Sequence, residues 1–187
     1  MAAVNNMKNK LTMVSVRLVK DATIMSEKPI HKPIDAVELI GRDLCTLDRE
    51  VCAVINLKAS GVPINCHIAS MGALDSSICH PRELLKTAIL SNAAKVIMVH
   101  NHPSGNLHPS KTDVMVTDRM VQVCENMGIP LVDHIIVGGD NTEFFSFAEK
   151  EIMPFPKISY ETDYNKIELE GTLVAEQETV SRPRRRR

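Results

Sequence analysis

The sequence contains no tryptophan, and aromatic residues make up only 3% of its 187 positions. Proteins that bind single-stranded nucleic acid usually stack bases on aromatic side chains, so this composition argues against such a surface. The formal net charge of -1 also removes any general electrostatic attraction to DNA. The exception is the strongly basic "RPRRRR" at residues 182–187, which is either a solvated end or a docking segment for nucleic acid or an acidic partner.

The five cysteines form no C-x-x-C pair, and their odd number does not suit a complete disulfide framework. This pattern favours a reducing compartment. No segment approaches the roughly 20 apolar residues that a membrane span needs, and the first residues show no signal-peptide pattern. We therefore expect a cytoplasmic protein without membrane attachment.

A chain of this length, with 44% hydrophobic residues, has enough apolar side chains for one ordinary core. We predict an N-terminal arm with one strand over residues 1–33 and a globular domain over residues 34–150. Residues 151–187 show no sustained periodicity and end in charge, which predicts a flexible C-terminal extension.

Hydrophobic periodicity predicts strands at 11–19, 50–57, 62–72, 95–100 and 130–139, and helices at 35–47, 80–94 and 110–128. In the first helix, Val37, Ile40 and Leu44 are spaced to share one face. A "KASG" turn joins the second and third strands as a hairpin, whereas helices separate most of the others. This order predicts an α/β fold with a mixed β-sheet flanked by helices.

The stretch "VIMVHNHPSGNLHPSKTD", residues 96–113, ends a buried strand in two histidines. Side chains two apart in a strand point to the same face, so His100 and His102 should project together. Asp113 follows near the start of the next helix and is the natural third ligand. Two histidines and one carboxylate leave room for a water, as in catalytic zinc sites. Because zinc can lower the pKa of bound water from 15.7 to about 7, the pattern predicts a hydrolytic metal site.

Part of this stretch also has a purely structural interpretation. "SKTD" is a capping box in which Ser110 and Asp113 satisfy the helix start, and this role is compatible with metal binding. The turn that carries His102 back toward Asp113 is expected to be shaped by Asn101, Pro103, Ser104 and Gly105. Further along, His134 in "VDHIIV" either lines the cleft or supports a metal ligand, or it is satisfied by its strand neighbours, which is the favoured interpretation.

Two Cys-His pairs invite a second zinc site, but their spacing lacks any C-x2-C element. These are Cys66-His67 and Cys79-His80. Alternation along the strand explains the first pair without metal, so a second site is disfavoured.

The pattern H-x-H-x7-S-x2-D resembles the signature of JAB/MPN+ (JAMM) metalloproteases. The flanking "PRELLKTAILSNAA" and "LVDHIIVGG" resemble the RadC-like branch of that family over residues 34–149. The resemblance implies the JAB/MPN fold, which is cytidine-deaminase-like, and Zn²⁺ held by His100, His102 and Asp113. It also implies that Glu50 acts on the zinc-activated water and that Ser110 stabilises the oxyanion. The implied activity is that of a zinc metallopeptidase or isopeptidase with an unknown protein or peptide substrate.

The residues alone do not select Glu50, since Glu83 is an alternative and a strand-start glutamate is often simply solvated. Glu83 is explained more simply as a first-turn helix residue. The RadC-like family also carries a DNA-repair association, so the alternative function is a nucleic-acid-associated protein whose site acts on another substrate or is regulatory. A metal-free MPN scaffold is a third interpretation, disfavoured because every motif position is filled.

Overall fold

The computed structural model describes residues 15–20, 28–71, 80–139, 143–157 and 159–160. The chain begins its regular structure with α1 (Pro33–Ala36), a π-helical turn (Val37–Gly41), α2 (Arg42–Cys45), β1 (Val51–Leu57) and β2 (Pro63–Met71). It continues with α3 (Pro81–Leu90), β3 (Lys95–His102), α4 (Lys111–Asn126), β4 (Leu131–Gly138) and β5 (Phe144–Ser146). Among the helices in these ranges, none has the length and apolar character needed to span a bilayer.

The five strands form one sheet in the order β2-β1-β3-β4-β5. β1 is antiparallel to both of its neighbours, β3 and β4 are parallel, and β5 is antiparallel to β4. Parallel neighbours need a long crossover rather than a tight turn, and α4 provides it between β3 and β4. The predicted α/β fold with a mixed sheet flanked by helices is therefore confirmed.

Apolar side chains cover both faces of the sheet, and β1 and β3 are accordingly buried almost throughout. On one face the sheet packs against α3 and α4 through side chains that include Val54, Leu84, Met98 and Met120. On the other face it packs against the helical run from α1 to α2, whose predicted apolar side chains Val37, Ile40 and Leu44 are all buried. The sheet is thus held in place from both sides.

The predicted strand at 11–19 is wrong where it can be compared with the structure. Residues 15–20 form no strand, and residues 11–14 lie outside the described part of the chain. Val16 and Val19 are 71% and 88% exposed, so neither is buried against the sheet. An apolar alternation favours a strand only where a neighbouring strand and a packing surface are present.

The C-terminal segment that follows β5 contacts α4. The Gln122 side chain donates to the Phe155 carbonyl at 3.1 Å and accepts from the Lys157 backbone N–H at 2.7 Å. The Tyr160 hydroxyl donates to Asn126 Oδ1 at 2.8 Å. These hydrogen bonds attach the first part of the predicted extension to the globular domain, while residues 161–187, including the Arg-rich end, lie outside the described residues.

Candidate metal centre

The two motif histidines lie at the carboxyl end of β3, and Asp113 lies in the first turn of α4. β3 runs two residues further than predicted, so His100 and His102 are both strand residues on one face of the sheet. The three side chains are buried, with His100 0%, His102 9% and Asp113 2% exposed. The crossover from β3 to α4 brings the three predicted ligands together.

The ligand atoms of these three residues lie within 4.8 Å of one another. His100 Nε2 is 2.9 Å from His102 Nε2 and 3.3 Å from Asp113 Oδ1. His102 Nε2 is 3.5 Å from Asp113 Oδ2. Two atoms that each bind zinc at 2.0–2.1 Å in tetrahedral geometry lie about 3.3 Å apart. The group could therefore hold a metal ion with little movement.

The hydrogen-bond partner of His102 determines which of its nitrogens faces the other ligands. His102 Nδ1 lies 2.6 Å from the backbone carbonyl oxygen of Asn106. A carbonyl only accepts, so Nδ1 carries the hydrogen and donates it. Nε2 then presents a lone pair toward His100 and Asp113.

A longer chain of hydrogen bonds does the same for His100. The Thr117 hydroxyl donates to the Asp113 carbonyl at 2.6 Å, so its oxygen accepts from His134 Nδ1–H, also at 2.6 Å. His134 Nε2 is then bare and accepts from His100 Nδ1–H at 2.8 Å. His100 Nε2 is left with a lone pair directed at the site. The neutral centre thus consists of two imidazole lone pairs and a carboxylate, an all-acceptor set that needs a metal ion or protons to balance it.

The pKa shifts agree with a site that attracts positive charge. Burial lowers the pKa of both His100 and His134, which favours the neutral forms that the hydrogen bonds require. The hydrogen bond with Asp113 raises the pKa of His102. Burial acts to raise the pKa of Asp113, but the adjacent His100 and His102 rings and the hydrogen bond from the Ser110 N–H together outweigh it and hold the pKa below its usual range. A proton shared between His102 and Asp113 would therefore compete with a metal ion for the same place.

Ser110 and Asp113 form the predicted capping box at the start of α4. Ser110 Oγ accepts from the Asp113 backbone N–H at 3.1 Å, and the Ser110 backbone N–H donates to Asp113 Oδ2 at 2.6 Å. The carboxylate therefore serves the helix start and faces the histidines at once, as the sequence interpretation allows. The catalytic role assigned to Ser110 stays a prediction.

Glu50 stands half-buried immediately before β1. In the β1–β3 register, Cys52 lies opposite His100. Glu50 is two residues earlier, and continued alternation places it on the same face as His100 and His102. Its charge adds to the effect of Asp113 in raising the pKa of His102. Its catalytic role stays a prediction.

The alternative glutamate, Glu83, lies in the first turn of α3. It pairs with Lys86 and, at 3.5 Å, with Arg82. These are the exposed ion pairs expected of a residue at a helix start. Of the disfavoured second zinc site, Cys79 lies outside the described residues, and within the described ranges only the group of His100, His102 and Asp113 could hold a metal.

Two predictions about residues near the site are wrong: Asn101 was expected in the turn after β3, and His134 was expected to be satisfied by its strand neighbours. Asn101 is not a turn residue but a fully buried member of β3. His134 is buried in β4 against His100, which decides between the two interpretations in favour of a contact with the site. The register of the parallel pair could have revealed this contact. Met98 of β3 lies beside His134, and His100 follows two residues later on the same face.

Thr117→Val should weaken zinc binding by about 10- to 100-fold, the usual cost of disturbing a group that orients a metal ligand. The substitution keeps the shape but removes the oxygen that accepts from His134 Nδ1–H, so the tautomer of His100 is no longer fixed. Competition titration with a zinc-sensitive dye measures the change. Thr87→Val is the matched control, since the Thr87 hydroxyl bonds Asn56 at 2.9 Å and no ligand. Equal zinc affinities for Thr117→Val and the parent would mean that the hydrogen bonds through Thr117 and His134 do not orient His100.

A protein-family model described as "RadC-like JAB domain" matches residues 30–152. A UPF0758 protein of Clostridium perfringens is 40% identical over 129 residues, which make up 69% of this chain and 56% of that protein. One of Salinibacter ruber is 40% identical over 121 residues, covering 65% of this chain and 51% of that protein. One of Clostridioides difficile is 36% identical over 149 residues, covering 78% and 63%. The chain thus spans about half the length of the curated relatives it matches.

Proposed function

Because this chain belongs to the family of RadC-like JAB domains, we propose that it is a zinc-dependent hydrolase that cleaves a peptide or isopeptide bond. The observation that carries the proposal is the buried, all-acceptor group of His100, His102 and Asp113. Two imidazoles and a carboxylate form a common zinc ligand set that leaves a coordination position for water. When bound, zinc lowers the pKa of its water ligand to about 7 and polarises a carbonyl oxygen.

Glu50 is proposed to hold and move the proton in this reaction. Its place on the face of the two histidines supports a carboxylate that accepts the water proton and later delivers it to the leaving amine. A neighbouring carboxylate within hydrogen-bond reach of the reacting water is the usual geometry for such a general base. Glu83 instead lies on α3, where it is ion-paired with Lys86, and it does not share this position at the start of β1.

Ser110 is proposed to stabilise the negative charge that develops on the carbonyl oxygen. Its Oγ accepts the Asp113 N–H, which leaves the hydroxyl hydrogen available as a donor. The side chain is exposed at the rim of the buried ligand group. A donor held by a helix start needs little reorganisation when charge appears on the substrate.

The test combines metal analysis with hydrolysis in labelled water. The purified full chain should take up one zinc per molecule, and zinc at 100 times its dissociation constant should add about 2.7 kcal/mol to the free energy of unfolding. Incubated with a peptide mixture in H₂¹⁸O, the zinc-loaded protein should place one ¹⁸O in each new carboxylate, and the chelated protein should place none. Failure to take up any divalent metal would end the proposal, and tight uptake of iron instead of zinc would point to other chemistry.

A second candidate function is association with nucleic acid through "RPRRRR" at residues 182–187. Five arginines in six residues supply the charge that phosphate contacts need. If they bind DNA, affinity should fall steeply with added salt and disappear when residues 182–187 are deleted. Salt-independent binding, or binding that survives the deletion, would argue against this function.

A further inference from the structure

Asn101 lies between the two histidines of the metal centre and is fully buried. Alternation along β3 turns its side chain to the face opposite His100 and His102. Both polar atoms of the amide are used there. Asn101 Oδ1 accepts from the Val51 backbone N–H at 2.7 Å, and Nδ2 donates to the Arg49 carbonyl at 3.0 Å.

These two backbone groups flank Glu50 in the sequence. The Arg49 carbonyl belongs to the peptide plane before Glu50, and the Val51 N–H belongs to the plane after it. The orientations of these two planes set the φ and ψ angles of Glu50. The amide of a single side chain therefore fixes the backbone conformation of the proposed proton carrier from both sides.

The amide takes over where the regular strand pairing stops. The β1–β3 ladder ends with Cys52 opposite His100, and one further step places Val51 opposite Asn101. At that step the Asn101 side chain bonds the backbone of the neighbouring strand. Glu50 follows a bend at Asp48 and Arg49, whose side chains are exposed, and the Asn101 amide bonds the backbone on both sides of it.

We infer that Asn101 is a positioning residue that holds Glu50 in the direction of the ligand group formed by His100, His102 and Asp113. This inference rests on the proposed function, because it gives Glu50 a reason to be held. The segment His100-Asn101-His102 then acts on both faces of the sheet. Its two imidazoles face the metal position, and its amide fixes the neighbouring strand. The position of Glu50 relative to the ligands is then set by a side chain of the neighbouring strand rather than by a loop.

A positioning role must be distinguished from a purely structural one, because a buried amide that satisfies two backbone groups also stabilises the fold. Asn56 provides the matched control. It is equally buried in β1, and its Nδ2 bonds Asn65 and Thr87 rather than the backbone beside Glu50. Asn56→Ala and Asn101→Ala should both lower the unfolding midpoint, so stability alone does not distinguish the two roles.

The distinguishing measurement follows Glu50 itself in the full chain, using Co²⁺ in place of zinc as a paramagnetic probe. In Asn101→Ala the pseudocontact shifts of the Glu50 side chain should become smaller, or its signals should broaden. The amide hydrogen of Val51 should exchange with solvent at least about tenfold faster. Metal affinity should stay within about threefold of the parent, below the cost of disturbing a ligand's own partner. Asn56→Ala should leave the Glu50 shifts and the Val51 exchange rate as in the parent.

Unchanged Glu50 shifts and unchanged Val51 exchange in Asn101→Ala would overturn the inference. If the parent takes up no metal, the proposed function fails, and Val51 exchange together with the Glu50 side-chain couplings of the metal-free protein still decides whether Asn101 holds this segment. Asn101→Asp adds a further check, because it keeps the acceptor for Val51 but sets an oxygen against the Arg49 carbonyl. It should restore protection of Val51 only partly, and full restoration would contradict the two-sided contact.

Discussion

Asp113→Ala is expected to abolish stoichiometric zinc uptake. The substitution removes the only carboxylate of the ligand group and leaves two neutral imidazoles, His100 and His102. We expect zinc affinity to fall by more than about 100-fold, the upper end of what indirect disturbance of a ligand costs. Metal analysis after gel filtration and competition titration against a dye both measure this loss.

Asp113 also accepts the Ser110 backbone N–H, so its removal harms the start of α4 as well. Ser110→Ala separates the two effects. It removes the oxygen that accepts the Asp113 N–H and should cost about 1 kcal/mol of stability, as capping substitutions do, while leaving the carboxylate in place. We therefore expect Ser110→Ala to keep its zinc. Equal loss of zinc in both variants would mean that the helix start, and not the carboxylate as a ligand, determines uptake.

Glu50→Gln is expected to keep the metal and to lose turnover by about 10²- to 10⁴-fold, the usual contribution of a positioned acid or base. The amide has the size of the carboxylate and still forms hydrogen bonds, but it does not accept a proton from water. Zinc content should equal that of the parent, because Glu50 is not in the ligand group. The rate of ¹⁸O incorporation into the products of the peptide assay measures the effect.

Glu83→Gln is the control for this prediction. Glu83 pairs with Lys86 and Arg82 on α3, so its substitution should change neither zinc content nor the rate of hydrolysis. Cleavage by Glu50→Gln at the parental rate would reject the role given to Glu50. A loss in Glu83→Gln instead would transfer that role to the other glutamate.

Local patterns predicted most of the fold because each strand and helix carries its own periodicity. The face of Val37, Ile40 and Leu44 is an example, and so is the strand that carries His100. The three-residue strand Phe144–Ser146 was missed because its assignment depends on pairing with β4 rather than on any repeat of its own. The strand at 11–19 failed for the complementary reason, since its pattern found no sheet neighbour over residues 15–20.

The candidate site divides in the same way. The spacing of His100, His102 and Asp113 was enough to predict that they meet. Side chains in a strand alternate with a period of two, and a helix start orients the side chains of its first turn. The groups that orient them come from distant parts of the chain: His134 is 34 positions from His100, and Asn101 bonds the backbone 50 and 52 positions away. No local pattern predicts such contacts, which depend on which strands become neighbours.

The double use of Asp113 has a consequence for how the protein acquires its ion. The first turn of α4 is capped by Ser110 and by the protein's own backbone, and apolar side chains cover both sides of the sheet. We therefore expect the fold to assemble without a cation. Small zinc modules, by contrast, unfold when they are stripped. Here the metal-free site should keep its arrangement, so that the ion can be removed and bound again without unfolding of the protein.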